Sequence, residues 1–565
     1  MNNVPWWQKT VVYQIYPRSF MDSNGDGIGD IQGIISKLDY LQDMGFETLW
    51  ISPFFKSPLE DFGYDIADYR SIAPEYGTME DFRELVSEVH KRKMYLILDM
   101  VLNHTSREHI WFKESRSSKD NPKRDWYIWK PGKKPPNNWK SMVYGRGWHF
   151  DSHTNEWYWA AFLPCQPDLN WRNPEVYNEM LAILKYWLDE GADGFRLDIF
   201  GAIYEDPDFQ NNPFSPHLFP NDNRGNGVFQ STEMTSNHPD NFQLAKELRI
   251  FIDENSHNHA WMVGETFGGY SVLREFCGRD IPNGLHLAFM FQSAHAAFTA
   301  AAYRKLIVEA EQWFPKPYCP TWLFGNHDMN RRITRLKGDR EKAKLDAAFQ
   351  LTVRGVPFFY NGEEIGMVNG GIPITQAQDG VTKHFRKHFP DWILSILNNQ
   401  FNGAVNRDNC RTPMQWDSTV HAGFCAPDMK PWIQVTQSVQ KNNVTAEQAQ
   451  EDSLLHCVKR FLKARSEFEA LTCGRMILQT NLSISSQVLA FCRKAESEKD
   501  IFLILLNFSD KNQRIDTSQL STDQTKINII VSTSFLDNRN RAGVMKKDQQ
   551  FLTLLPWEGC VLQYA

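Results

Sequence analysis

At 565 residues the chain is too long for one compact core, so two to four domains, or a barrel with additions, are expected. A hydrophobic content of 42% excludes a disordered chain, and a formal charge of −7 argues against nucleic acid or an anionic membrane as partner. The nine cysteines are odd in number and form no CxxC pair or Cys/His cluster, which excludes a zinc centre and a disulfide framework and fits a reducing compartment.

The first residues, Met1 to Trp7, lack a basic segment followed by an apolar one, so no signal peptide is expected. No run of about 18 apolar residues exists, so no membrane span is expected and the cytoplasm is the expected location. Val11–Pro17 reads as the first buried strand. The loop after it, Asp22-Ser23-Asn24-Gly25-Asp26-Gly27-Ile28-Gly29-Asp30, sets oxygen side chains at alternate positions. That pattern suits Ca²⁺, with the Ile28 carbonyl adding a ligand. It opens like an EF-hand loop, but Gly33 stands where the closing Glu would be, and no helix pair flanks it.

Further apolar runs follow at Thr48–Pro53, Tyr95–Val101, Gly194–Phe200, Trp261–Phe267, Thr321–Asn326 and Pro357–Asn361. Each is nearly continuous in apolar character, as strands of a parallel sheet covered on both faces are. Helical periodicity lies between them, most clearly over Asp81–Arg92 and Pro174–Glu190. Asn173-Pro174 starts the second helix and Gly191 stops it. Strands alternating with helices predict an α/β fold, a (β/α)8 barrel spanning 1–104 and 172–474. Residues 105–171, polar and rich in Trp, Pro, Lys and Gly, read as a subdomain inserted after strand three. A second irregular stretch, 366–432, reads as a cover over the site. From 475 to 565 short strands at Val488–Cys492, Ile501–Asn507, Ile527–Ser532 and Cys560–Tyr564 predict a C-terminal antiparallel β-sandwich domain.

Polar residues gather where the barrel strands end, the position that carries chemistry in such barrels. Arg196 and Asp198 are two apart on a strand and share a face, so the arginine favours the ionised carboxylate a nucleophile requires. Glu265 ends an apolar strand, where desolvation raises a carboxyl toward general-acid use. Asp328 follows His327 at another strand end and supplies a third carboxyl. Two carboxyls flanking a sugar are the minimal equipment for glycoside hydrolysis, and a separation of about 5 Å means retention of configuration.

The chain resembles the α-amylase superfamily, and within it the oligo-1,6-glucosidase group of α-glucosidases. Four stretches resemble that family's conserved segments: Asp99 to His104, Gly194 to Asp198, Gly264-Glu265 and Asn326-His327-Asp328. Gln166-Pro167-Asp168-Leu169-Asn170 resembles the segment that marks the group. Gln14 to Phe20, Gly63-Tyr64-Asp65 and Arg411 to Trp416 match further, and the likeness runs from about residue 5 to 475.

The resemblance implies roles. Asp198 would be the nucleophile, Glu265 the acid/base, and Asp328 the carboxylate that binds and distorts the sugar. His104 and His327 would bond its hydroxyls, and Arg196 would orient Asp198. Asp65 and Arg411 would clamp the non-reducing end, Tyr64 would stack under the ring, and Phe162 and Gln166 would line the pocket. Asp22, Asn24, Asp26, Ile28 and Asp30 would hold a structural Ca²⁺ or Mg²⁺, with no organic cofactor.

The implied activity is exo-acting hydrolysis of short α-glucosides, by a monomer or weak homo-oligomer. In the group an aliphatic residue after the nucleophile accompanies α-1,6 preference and a Thr α-1,4, so Ile199 leans to isomaltose-type substrates. Other α-linkages, sucrose isomerisation or transglucosylation, sucrose hydrolysis and trehalose-6-phosphate hydrolysis stay open. The non-catalytic heavy chains of amino-acid transporters are the remote alternative from another class. They have a membrane span and lack the full set of acids.

Overall fold

Eight short strands pair in parallel around an apolar centre: β1 (Val12–Ile15), β2 (Thr48–Ile51), β3 (Tyr95–Met100), β4 (Gly194–Leu197), β5 (Trp261–Gly264), β6 (Leu287–Ala288), β7 (Thr321–Leu323) and β8 (Val356–Tyr360). The computed structural model describes residues 4–217, 225–400, 403, 405–479, 484–496, 500–516, 527–534 and 551–564. The sheet runs β6-β5-β4-β3-β2-β1-β8-β7, a nearly closed (β/α)8 barrel. At the seam between β6 and β7, Thr321 Oγ1 donates to the Ala288 carbonyl and accepts from Met290 N, each at 2.9 Å. The strands are buried on both faces, which is why they read as unbroken apolar runs.

Sequence periodicity identifies seven of these strands. The eighth, Leu287–Ala288, is two residues long and too short to show a period. The helix expected over Asp81–Arg92 spans Met79–Lys91, opened by a Thr78/Asp81 capping box that satisfies its free N–H groups. Pro174–Asp189 starts under the Asn173 cap and stops at Gly191, whose φ of 101° suits a residue without Cβ.

The excursion after β3 holds a helix, Ile110–Ser117, and an antiparallel sheet of Trp129–Pro131, Glu156–Trp159 and Trp148–Asp151. Trp139, Trp148 and Trp159 pack as its own apolar cluster. The short helix is absent from the sequence reading because its cap, His109, is an uncommon one. In the C-terminal region Arg475–Leu478, Val488–Lys494, Ile501–Asn507, Gly559–Tyr564 and Ile527–Ser532 form one antiparallel sheet, and Gln513–Asp516 pairs with Phe551–Leu554 in a second. Residues of this domain such as Phe491 and Phe502 join the main core with Phe349 and Leu345. All nine cysteines are buried and unbridged. Among the described residues, no helix is long and apolar enough to cross a membrane.

Candidate active site

Parallel register assembles the site. Asp99 on β3 pairs with Arg196 on β4, and Arg196 pairs with Val263 on β5, so the next positions, Asp198 and Glu265, emerge side by side. Backbone bonds from Asp198 N to the Met100 carbonyl (3.0 Å) and from Glu265 N to the Leu197 carbonyl (2.8 Å) carry the ladder to its last rung.

Arg196 is the hub. One terminal nitrogen donates to Asp99 (2.7 Å) and to Asp198 (2.6 Å), and the other donates to Glu265 (2.5 Å). Burial opposes its charge, but Asp99 and Glu265 hold it firmly protonated. Burial pushes Asp198 up to about 7 against the pull of Arg196, and Glu265 up to about 8. The sequence leads one to expect Arg196 to keep Asp198 in the ordinary carboxylate range. Desolvation outweighs it because the guanidinium is shared among three acids. Burial thus raises both carboxyls, the direction a general acid needs at Glu265.

Asp198 leads into an unusual turn. Ile199 has φ 32° and ψ 43°, a left-handed conformation that costs a β-branched residue of order 1–3 kcal/mol. The turn aims its N–H at Glu265 Oε2, 3.3 Å away.

A second cluster lies across the barrel mouth. Asp328 accepts from Arg411 (2.9 Å) and Arg407 (3.1 Å) and lies 3.0 Å from His327 Nε2. Burial works against its ionisation, but these neighbours prevail and hold it well below the usual carboxylate range. Gln14 Nε2 donates to His327 Nδ1 (2.7 Å), which assigns the ring proton to Nε2, the nitrogen 2.7 Å from the Tyr64 hydroxyl. Tyr64 in turn donates to Asp99 (2.9 Å). Burial lowers His327 to about 3 and His104 to about 4, so both rings are neutral.

Several expected site residues stand elsewhere. Asp65 does not meet Arg411. It is buried and accepts from Ser57 Oγ (2.8 Å), Glu60 N (2.9 Å) and Asp61 N (3.0 Å), which makes it the brace of its own turn. The ion pair at this end is Asp61–Arg407 at 2.5 Å, and Arg407 also binds Asp379 at 2.6 Å. Asp61 lies four residues before Asp65, just outside the Gly63-Tyr64-Asp65 motif, and its pairing with a residue 346 positions away is a long-range fact. Gln166 is fully buried and spends its amide on Asp61 (3.1 Å) and the Tyr64 carbonyl (3.2 Å), so it positions the wall and does not form its surface. His104 Nε2 is likewise committed to the Tyr64 carbonyl, at 3.0 Å. Phe162 packs against Val143, Leu163, Cys165 and Val381. Asp99, Gln14, Asp61, Arg407 and Asp379 are the residues that sequence reasoning leaves without a role.

Beside the site, the marker segment's Asp168 forms a carboxyl pair with Glu205. Asp168 accepts from Ala161 N (2.9 Å) and Glu205 from Trp159 Nε1 (2.7 Å). Burial raises Asp168 to about 7 and Glu205 well above its ordinary range, and the two share a hydrogen bond.

Among the described residues, no three His, Cys, Asp or Glu side chains gather as a metal centre. In the loop after β1, Asp22 accepts from Gly25 N (2.7 Å) and Gly27 N (2.8 Å), Asn24 from Asp26 N (2.9 Å), and Asp26 from Ile28 N (2.8 Å). These oxygens are of the hard kind Ca²⁺ takes, and each keeps a lone pair for it. Asp30 closes the loop. Its carboxylate accepts from Ser23 N, Ser23 Oγ, Asn24 N and Gly33 N, and it caps the helix Ile31–Ile35.

Residues 14–474 match the family model of the alpha amylase catalytic domain. An oligo-1,6-glucosidase of Parageobacillus thermoglucosidasius is 36% identical, with 98% of each chain covered. An alpha-glucosidase of Schizosaccharomyces pombe is 34% identical, covering 90% of this chain and 92% of its own. Among solved structures, the isomaltulose synthase PalI of Klebsiella sp. LX3 superposes with a TM-score of 0.87 at 33% identity, with all of both chains covered. On the length and identity of these matches, the chain belongs to the alpha-amylase family of glycoside hydrolases.

Proposed function

We propose that the chain is an exo-acting, retaining α-glucosidase of short oligosaccharides, leaning to α-1,6 bonds. The observation that carries it is the single guanidinium of Arg196 holding Asp198 and Glu265 together. Two carboxyls held on one guanidinium favour the short separation of retaining enzymes over the ~6.5–9.5 Å that inverting enzymes keep for a water. Glu265 protonates the leaving oxygen while Asp198 attacks the anomeric carbon. Glu265 then deprotonates water, and α-glucose is released. Asp328, held ionised, binds hydroxyls of the bound ring, and the Asp61–Arg407 pair closes the end beyond it, which makes the enzyme exo-acting. Isomaltose and maltose assayed side by side, with Asp198→Asn as blank, test the reading. A variant of near-normal rate, or β-glucose as first product, would overturn it.

Sucrose isomerisation is the second reading, supported by the likeness to isomaltulose synthase. Product analysis on sucrose separates the two: glucose and fructose support hydrolysis, isomaltulose the alternative. The loop Asp22–Asp30 is proposed to hold a structural Ca²⁺ or Mg²⁺. Melting with EDTA and with added Ca²⁺ tests it, and an unchanged midpoint refutes it. A cytoplasmic setting is supported by the nine unbridged cysteines. A monomer or weak homo-oligomer is proposed, and light scattering checks it.

A further inference from the structure

A groove of about 1590 Å³ opens between the inserted subdomain, the loop 225–237 and the helices Gly380–Arg386 and Asp391–Gln400. It exceeds the ~300–1,000 Å³ of ordinary small-molecule sites. Its inner end is at Phe267, two residues past Glu265, and at Asn237, whose N–H donates to the Gly201 carbonyl just after the Asp198 turn. It therefore extends from the wall that carries the proposed acid/base, the side on which the leaving group departs.

The lining is aromatic and basic. Phe150 and Phe229 stand 49% and 45% exposed, too open for core residues, and Phe385 and Phe389 face the same space. Lys134, Lys140, Arg146 and Lys387 are exposed along it and none forms an ion pair with a described residue; Lys140 donates to the Val228 carbonyl (2.9 Å), which leaves Lys134, Arg146 and Lys387 for a ligand. No described lining residue is acidic, although the chain carries 68 Asp and Glu against 61 Lys and Arg. Ring faces with cations and no carboxylate are complementary to a ligand that is flat, apolar and negatively charged.

We infer that this groove selects α-glucosides whose leaving group is an aromatic ring bearing a carboxylate. The inference rests on the glucosidase reading and names the substrate class for the leaving-group side of that site. The glucosyl unit enters the pocket of Asp198 and Asp328, the aryl ring lies against Phe229 and Phe150, and the carboxylate meets Lys134, Arg146 and Lys387.

The test compares kcat/KM of the full chain for 4-carboxyphenyl and 4-carbamoylphenyl α-glucopyranoside, which match in shape and differ in charge. The anionic substrate is expected to lead by ~10-fold or more at low salt, as a cleft lined by one sign of charge focuses the opposite one. That lead should shrink between about 0.05 and about 0.5 M salt as screening sets in. In the Lys134→Gln/Arg146→Gln/Lys387→Gln variant the ratio should fall toward one, the neutral substrate serving as internal control. Equal rates for the two glucosides in the unmodified enzyme, or a lead insensitive to salt, would overturn the inference while leaving the glucosidase reading intact, and should the triple variant fail to fold, the salt series alone decides. If isomaltose, maltose and both aryl glucosides are all inert, the glucosidase reading fails and the inference falls with it.

Discussion

Arg196 donates to Asp198 at 2.6 Å through one terminal nitrogen and to Glu265 at 2.5 Å through the other. The two acids are thus coupled through one charge. Asp198→Asn and Glu265→Gln are each expected to lower kcat by of order 10³-fold or more. Arg196→Lys should cost both rate and stability, because an ammonium cannot fork and leaves buried carboxylates short of a partner. Breaking such a buried pair costs ~3–5 kcal/mol, so its melting midpoint should drop several degrees. A variant with unchanged melting would refute the hub role.

The pH profile follows from the same pair. Asp198 must be ionised and Glu265 protonated. Activity should therefore rise as pH climbs through about 7 and fall as it passes about 8. Measured as kcat/KM against pH, the result is a narrow bell. Glu265→Gln should remove the alkaline limb from whatever activity remains, and a limb that persists would assign it to another group.

Asp61 and Asp65 should separate by assay. Asp61 holds Arg407, which also donates to Asp328, so Asp61→Asn is expected to cut kcat/KM on disaccharides by ~10²-fold, the order that misplacing a positioning group costs. Asp65 braces a turn, so Asp65→Asn should lower the melting midpoint with KM little changed. The reverse pattern would restore Asp65 to the clamp.

Ile199 combines a strained backbone with the position that follows the nucleophile. Ile199→Thr should move the isomaltose-to-maltose ratio of kcat/KM toward maltose by several-fold, in line with the ~1–3 kcal/mol that small changes in a pocket supply. A ratio left unchanged would reduce Ile199 to packing.

Asp168 and Glu205 tie the inserted subdomain to the turn after Asp198 and make stability depend on pH. Asp168 sits at about 7 in the folded chain, against roughly 3.9 unfolded. The folded state holds the proton more tightly, so stability is greatest below the unfolded value and is lost as pH rises from about 4 through 7. Glu205→Gln removes the second acid, and its melting midpoint should fall less between pH 5 and pH 8 than the parent's. Equal falls would refute the shared proton.

Local regularities were legible in the sequence by itself. Seven of the eight barrel strands, two flanking helices with the start and stop of one, the strand-end acids and most strands of the C-terminal sheet follow from periodicity, turn chemistry and motif spacing, which operate over a few residues. What only the tertiary structure decided is which side chains are shared. Arg196 serves three acids and not one, and Asp61 and not Asp65 meets an arginine. These outcomes depend on parallel register and on contacts across hundreds of residues, where competing partners are weighed by burial and distance. No pattern of neighbours along the chain encodes that competition.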